Sequence, residues 1–176
     1  MKFIEGNLLD LAEEGRFDII VHGANCFCTM GSGIARQIKE RYPKAYLVDQ
    51  LTRERDKDKL GKFTQAYVTG FRENTNGVTR NSGWHYNFTI INAYTQYYYG
   101  GREVHADYDA IKSVFKQIKM LYDMNPQAPL RIGIPQIGAG LAGGDWKVIE
   151  KIIDDIGFSD LTCVIYKEEK CTNNTQ

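Results

Sequence analysis

Two glycine-rich segments give this sequence its clearest capacity for chemistry. The first covers residues 23–33 (GANCFCTMGSG), and the second covers residues 136–144 (QIGAGLAGG). Each follows an apolar run typical of a buried strand and precedes a helical pattern. Glycine lets the backbone approach a ligand closely, and N–H groups at a helix N-terminus favour anions. The two segments together predict opposite sides of one cleft for a phosphorylated ligand, although either alone could be a tight turn.

A histidine and an aspartate adjoin these segments. His22 directly precedes the first, and Asp145 directly follows the second. In one cleft, this pair could carry out general acid–base hydrolysis. Each residue also has a structural interpretation, His22 as a hydrogen-bonding strand residue and Asp145 as a helix N-cap. The cysteines of the first segment, Cys26 and Cys28, are either thiols activated by a helix start or small apolar fillers.

Two well-known phosphate-binding motifs do not fit the second segment. Residues 138–143 match the glycine spacing of the dinucleotide fingerprint, but too few residues follow for the rest of a Rossmann domain. The P-loop requires Lys and Ser or Thr after its last glycine, whereas Asp145 stands there. The sequence therefore argues against both a nicotinamide enzyme and an ATPase.

The elements that must position these segments alternate along the chain. Short apolar runs alternate with helical patterns, which predicts a layered α/β domain over residues 1–167, followed by a polar tail at 168–176. The residues between the third and fourth strands, NTNGVTRNSG, predict a hairpin loop. We expect strands at 2–5, 17–22, 65–71, 88–94, 130–134 and 161–166, and helices at 33–42, 43–51, 107–122 and 146–156.

Length, composition and charge limit the class of protein. The 176 residues suit a single domain with a sizeable core, and 22 basic residues balance 22 acidic ones. A net charge of zero argues against general nucleic-acid binding. We expect no membrane span, no secretory signal and a cytoplasmic location with four reduced cysteines. The spacing C-x-C and only three histidines predict no metal site, and no cofactor is expected.

The two segments resemble those of macro domains, the ADP-ribose-binding modules. The resemblance rests on GANCFCTMGSGIA after one strand and IPQIGAGLAGGDW after another, and it extends from Lys2 to Tyr166. It is strongest for the yeast and phage ADP-ribose 1''-phosphate phosphatases, which share Gly6-Asn7, a histidine in the position of His22 and the M-G-x-G-I-A pattern. The resemblance implies a three-layer α/β/α fold with a central mixed β-sheet.

The resemblance also implies roles for individual residues. Asn25 should bond the distal ribose, and Asn7 and Leu8 should lie beside the adenine. Gly31, Ser32 and Gly33 should wrap the distal ribose and diphosphate. Tyr166 is our candidate for an adenine wall, and residues 97–101 (YYYGG) could rim the distal ribose. The second segment should supply amides to the diphosphate. The remaining expected ligand-binding residues are Ala24, Ile34, Gln136, Gly138, Ala139, Gly140, Leu141 and Ala142.

Three functions follow from the resemblance and stay open. The first is hydrolysis of ADP-ribose 1''-phosphate to ADP-ribose and phosphate, with Asp145 orienting or activating water and His22 stabilising the leaving side. The second is removal of ADP-ribose from modified protein or nucleic acid. Ala142 stands where one deacylating group of macro domains has an aspartate, which argues against that group's mechanism. The third is a reader that binds ADP-ribose, free or on macromolecules, without turnover.

Overall fold

A computed structural model describes residues 1–73, 82–101, 103–124 and 129–167. Strands and helices alternate through most of the chain, as the sequence predicts. The strands are β1 (Lys2–Glu5), β2 (Ile19–Asn25), β3 (Phe63–Glu73), β4 (Gly83–Gln96), β5 (Ile132–Ile134) and β6 (Leu161–Ile165). The helices are α1 (Leu8–Glu13), α2 (Gly33–Arg41), α3 (Pro43–Gln50), α4 (Tyr108–Tyr122) and α5 (Trp146–Asp154), with a short 3-10 turn at Lys57–Lys59.

The six strands form one mixed sheet in the order β1-β6-β5-β2-β4-β3. In this order, every neighbouring pair from β1 through β6, β5 and β2 to β4 is parallel, whereas the edge strand β3 is antiparallel to β4. The carboxyl ends of β2 and β5, which are neighbours, therefore lie at the same edge of the sheet. Both glycine-rich segments begin at this edge.

Helices cover both faces of the sheet because side chains alternate along each strand. Ile19 and Val21 of β2 pack in a core cluster with residues of α4 and α5. Ile20, between them, packs in a second cluster with residues of α1, α2 and α3. This arrangement confirms the predicted three-layer α/β/α fold with a central mixed sheet.

Several boundaries differ from the sequence prediction. Strand β2 was expected at 17–22, but it begins at Ile19 and continues through Asn25, so His22 lies within the strand and not at its end. Helix α1 was not predicted. The Asn7 side chain caps it by accepting hydrogen bonds from the N–H groups of Leu9 and Asp10. Residues 74–81 of the predicted hairpin loop, and the predicted tail at 168–176, lie outside the described residues.

No helix among the described residues is long and apolar enough to cross a membrane.

Candidate functional site

A cavity of 640 Å³ lies between the two glycine-rich segments, at the carboxyl ends of β2 and β5. We call these segments the first and second glycine loops. The first loop and the start of α2 line one side, and the second loop lines the other, while the end of β4 completes the wall. The lining residues are Gly23, Asn25, Thr29, Gly31, Ser32, Gly33, Ile34, Ala35, Gln96, Tyr99, Gly100, Gly101, Pro135, Gln136, Ile137, Gly138, Gly140, Leu141 and Ala142.

The N-terminus of α2 opens onto this cavity. Ser32 is its N-cap residue, but the Ser32 side chain makes no capping hydrogen bond. Among the described residues, no protein group accepts a hydrogen bond from the N–H of Gly33, Ile34 or Ala35. Such N–H groups, together with the helix dipole, favour an anion. This side of the cavity can therefore bind a negatively charged group without a charged side chain.

The second loop folds back on itself through backbone hydrogen bonds. The N–H of Gly144 donates to the Gly138 carbonyl at 2.8 Å, and that of Gly143 donates to the Gly140 carbonyl at 2.9 Å. Gly138 has φ +75°, and a Cβ there would lie 3.0 Å from Ile149 Cδ1 of α5. Glycine is thus required at 138 for both conformation and space. By contrast, a Cβ on Gly140 would have open space around it.

Asn25 holds the first loop in shape. Its amide Nδ2 donates to the Thr29 carbonyl at 2.9 Å, and its Oδ1 accepts from the Phe27 N–H at 2.9 Å and from the Thr29 hydroxyl at 3.1 Å. The Asn25 side chain is therefore already bonded within the loop while it also lines the cavity. It organises the cavity wall as well as forming part of it.

His22 lies beneath the cavity and not in its wall. The side chain is fully buried, on the sheet face covered by α1, α2 and α3. Its Nε2 lies 2.7 Å from Asn92 Oδ1, and Asn92 in turn donates to the Ala45 carbonyl of α3 at 2.8 Å. Burial lowers the pKa of His22 below its ordinary value of 6.5. These contacts connect β2, β4 and α3 under the floor of the cavity.

Asp145 is exposed and also lies outside the cavity wall. Its carboxylate caps α5 by accepting a hydrogen bond from the Lys147 N–H at 2.9 Å. Its own N–H donates to the Tyr108 hydroxyl at 3.0 Å. The sequence analysis expected His22 and Asp145 to meet in one cleft, but neither residue lines the cavity.

The residues expected beside the adenine lie at the edge of the sheet formed by β1 and β6. Asn7 and Tyr166 follow these neighbouring parallel strands, and the Gly6 N–H donates to the Ile165 carbonyl at 3.0 Å. The Asn7 side chain is occupied as the α1 cap, Leu8 is largely buried, and Tyr166 is exposed. None of these three residues lines the 640 Å³ cavity.

Most of the other expected ligand-binding residues line the cavity. Ala24 and Ala139 do not line the cavity. The ones that do are Asn25, Gly31, Ser32, Gly33, Ile34, Gln136, Gly138, Gly140, Leu141 and Ala142.

Aromatic side chains form the rim at the end of β4, where the sequence analysis raised residues 97–101. The Phe27 ring contacts the rings of Tyr97, Tyr98 and Tyr99 edge-on, with centroids 5.0–5.8 Å apart. Tyr99 lines the cavity and stacks on Tyr98. Sequence analysis did not find Gln96 in the wall, because its place depends on the pairing of β4 with β2.

The cavity wall is almost free of ionisable groups. Among the described residues it carries one ionisable side chain, Tyr99, and no lysine, arginine, histidine or carboxylate. No group of three or more His, Cys, Asp and Glu residues in the described part of the chain could hold a metal ion. The described part of the wall would therefore hold an anion through backbone N–H groups and neutral side chains.

A second cavity, of 580 Å³, lies on the outer surface between α4 and α5 and has a different character. Its wall combines Lys112, Lys116 and Lys119 with exposed methionines. Neither glycine loop contributes to it, so the cavity between the loops is the candidate site.

Comparison with known proteins gives one clear relative by sequence. No family model matches the chain. An uncharacterized 17.5 kDa protein from the tk-vs intergenic region of Enterobacteria phage T4 is 34% identical over 155 residues, which make up 88% of each chain. The chain belongs to the same family as this phage protein.

Solved structures show the same fold at low sequence identity. A protein of unknown function from Bacteroides thetaiotaomicron aligns with a TM-score of 0.67 and 19% identity, over 94% of this chain and 97% of that one. The macrodomain of Mycobacterium tuberculosis DarG aligns with a TM-score of 0.61 and 21% identity, over 96% of this chain and 97% of that one. Thermosipho africanus DarTG in complex with ADP-ribose aligns with a TM-score of 0.63 and 17% identity, over 96% of this chain and 42% of that one. The present chain thus has the macrodomain fold.

Proposed function

We propose that this protein binds ADP-ribose in the cavity between the two glycine loops. One observation carries the proposal: the N-terminus of α2 and the second loop line the same cavity, and the described wall of that cavity contains no cationic side chain. A diphosphate suits such a wall, because hydrogen bonds to charged groups contribute about 1.5–3 kcal/mol each, against about 1 kcal/mol for neutral pairs. Several oriented N–H groups can therefore replace lysine or arginine.

The proposed placement of the ligand follows the geometry of the wall. Gly31, Ser32 and Gly33 would hold the diphosphate from the α2 side, and the second loop would hold it from the other. The distal ribose would lie near Asn25 and the aromatic rim, at the end of the cavity formed by the first loop and β4. The adenine would lie towards the edge formed by β1 and β6, with Tyr166 beside it.

The structural neighbours support this proposal. DarTG from Thermosipho africanus was solved with ADP-ribose, and the macrodomain fold extends over nearly all of the present chain. The shared fold places the carboxyl ends of the central strands, where ligands of open α/β sheets bind, at the same edge.

Hydrolysis of ADP-ribose 1''-phosphate is supported less well by the geometry. The proposed pair, His22 and Asp145, would have to act from a fully buried position and from a helix cap outside the wall. Binding without turnover needs only the wall as it stands. Removal of ADP-ribose from a macromolecule has the same difficulty, because the described wall offers no carboxylate to act as a base.

The deciding experiment is a calorimetric titration with ADP-ribose, ADP and ADP-ribose 1''-phosphate, combined with a phosphate-release assay. We expect heat with ADP-ribose, weaker binding of ADP and little release of phosphate. No heat with ADP-ribose at millimolar excess would refute the proposal. Rapid phosphate release that is lost in both His22→Ala and Asp145→Ala would instead establish the phosphatase with the residues that the sequence suggested. Loss of label from ADP-ribosylated protein or nucleic acid would establish the other hydrolase.

A further inference from the structure

A buried lysine lies against the inner side of the first glycine loop. The Lys59 side chain is 8% exposed, and its Nζ lies 3.6 Å from Asp49 Oδ1 and 3.4 Å from the Cys26 carbonyl. Its ammonium group also lies over the Tyr94 ring, 4.4 Å from the centroid. Burying a lysine is costly unless it is paired, so these contacts hold Nζ in a defined place.

A thiol sulfur is one of the hydrogen-bonding partners of this amine. Cys28 Sγ lies 3.1 Å from Lys59 Nζ, closer than the carboxylate of Asp49. The Cys28 backbone has φ +55°, which is uncommon for a residue other than glycine and reflects the constraint on this loop. The fixed sulfur and nitrogen are therefore a preorganised pair of groups that can react with each other once the sulfur is oxidised.

Cys28 is also the most exposed of the described cysteines. It is partly exposed, whereas Cys26 and Cys163 are fully buried. Burial raises the pKa of the Cys26 thiol to about 11 and that of Cys163 to about 12, so these two remain protonated and unreactive. Oxidation of the described part of the chain should therefore begin at Cys28.

We propose that Cys28 and Lys59 form a covalent sulfur–nitrogen cross-link when the protein meets a peroxide. The peroxide oxidises the Cys28 thiol by two electrons to a sulfenic acid and is itself reduced, which yields one water. The Lys59 ammonium group first releases one proton to the solvent. The neutral amine then attacks the sulfenic sulfur. An S–N bond forms, the S–OH bond breaks, and the departing hydroxide takes the second amine proton as water.

The cross-link would alter the candidate site. Cys28 lies between Asn25 and Thr29, which bond to each other and line the cavity. Closing the 3.1 Å gap to a covalent bond pulls this segment inwards and disturbs those bonds. This effect rests on the proposed function: we expect affinity for ADP-ribose to fall about tenfold, as when one hydrogen bond of the wall is lost.

The test is intact mass spectrometry and peptide mapping of the full chain after treatment with hydrogen peroxide. Cys171, outside the described residues, is replaced by serine in all samples. The expected product is about 2 Da lighter than the reduced chain, with the peptides of Cys28 and Lys59 joined, and a thiol reductant reverses it. A joined product about 14 Da heavier, with an oxygen between sulfur and nitrogen, would overturn the proposed direct S–N bond, because it requires a second two-electron oxidation.

Matched variants separate this product from other oxidation. Cys28→Ser and Lys59→Arg should each abolish the cross-link, and Cys26→Ser, two residues away, should retain it. Cys28 found only as unlinked sulfenic or sulfinic acid would overturn the proposal. A cross-link with unchanged ADP-ribose affinity would refute its effect on the cavity. If the reduced protein does not bind ADP-ribose at all, the proposed function fails, while the mass measurement still decides the cross-link.

Discussion

Replacing Gly140 with valine should block the candidate site without harming the fold. A Cβ at position 140 meets no heavy atom within 4 Å, and the Gly140 φ lies outside the left-handed range. The side chain would project into the cavity that Gly140 lines. If it displaces the diphosphate from two N–H groups, the loss is about 3–6 kcal/mol, or roughly 10²- to 10⁴-fold in affinity.

Calorimetry with ADP-ribose and thermal unfolding of the free protein measure the two effects separately. Because the change meets open space, we expect the melting temperature to move by no more than about 2 °C. Gly31→Val, on the opposite side of the cavity and equally unobstructed, should behave in the same way. Gly138→Ala should instead lose both stability and binding, because of its φ of +75° and the contact with Ile149. Binding by Gly140→Val with wild-type affinity would refute the assignment of the site.

Three further predictions concern residues outside the cavity wall. Asp145→Ala should remove the cap on α5 and cost about 1 kcal/mol of unfolding free energy, or about 2–4 °C in melting temperature, with ADP-ribose affinity unchanged. A loss of affinity without a loss of stability would instead show that Asp145 contacts the ligand. The pKa of His22 is lowered in the folded protein, so the unfolded chain binds a proton first as pH falls through 6.5. The contribution of His22 to the free energy of unfolding should therefore be fully present above pH 6.5 and decline below it by up to about 1.4 kcal/mol per pH unit. Urea titrations at pH 7.5, 6.5 and 5.5 measure this decline, and His22→Gln should flatten its slope. Gly133→Ala should cost about 1–3 kcal/mol by urea unfolding, because its Cβ would lie 2.7 Å from Phe17 and 2.8 Å from Leu8; an unchanged midpoint would show that this core can adjust.

Local patterns in the sequence predicted the elements with strong periodicity or clear end signals. Helix α4 was expected at 107–122 and runs from Tyr108 to Tyr122, with Asp107 as its N-cap. The six-residue helix α1 was missed because it is too short for a periodic pattern. The glycine loops were found because their chemistry lies in the backbone and shows directly in the composition.

The position of His22 could not be predicted, because it depends on a distant partner. A polar residue after FDIIV looks like the end of a buried strand. In the structure, however, β2 continues along β4 to Asn25, and Asn92, 70 residues away, satisfies the imidazole. Nothing near position 22 in the sequence indicates this bond. The Asp145 cap, by contrast, was one of the two roles that the sequence offered, because an aspartate directly before a helical pattern favours an N-cap.

The lack of charge in the described cavity wall has a consequence for the conditions under which the protein works. A site built on lysines or carboxylates changes its affinity as those groups gain or lose protons and as salt screens them. Backbone amides do not titrate, so occupancy of this cavity should vary little between mildly acidic and mildly alkaline surroundings. The described part of the wall also lacks lysine, so modification of lysines elsewhere on the surface would leave its contacts intact.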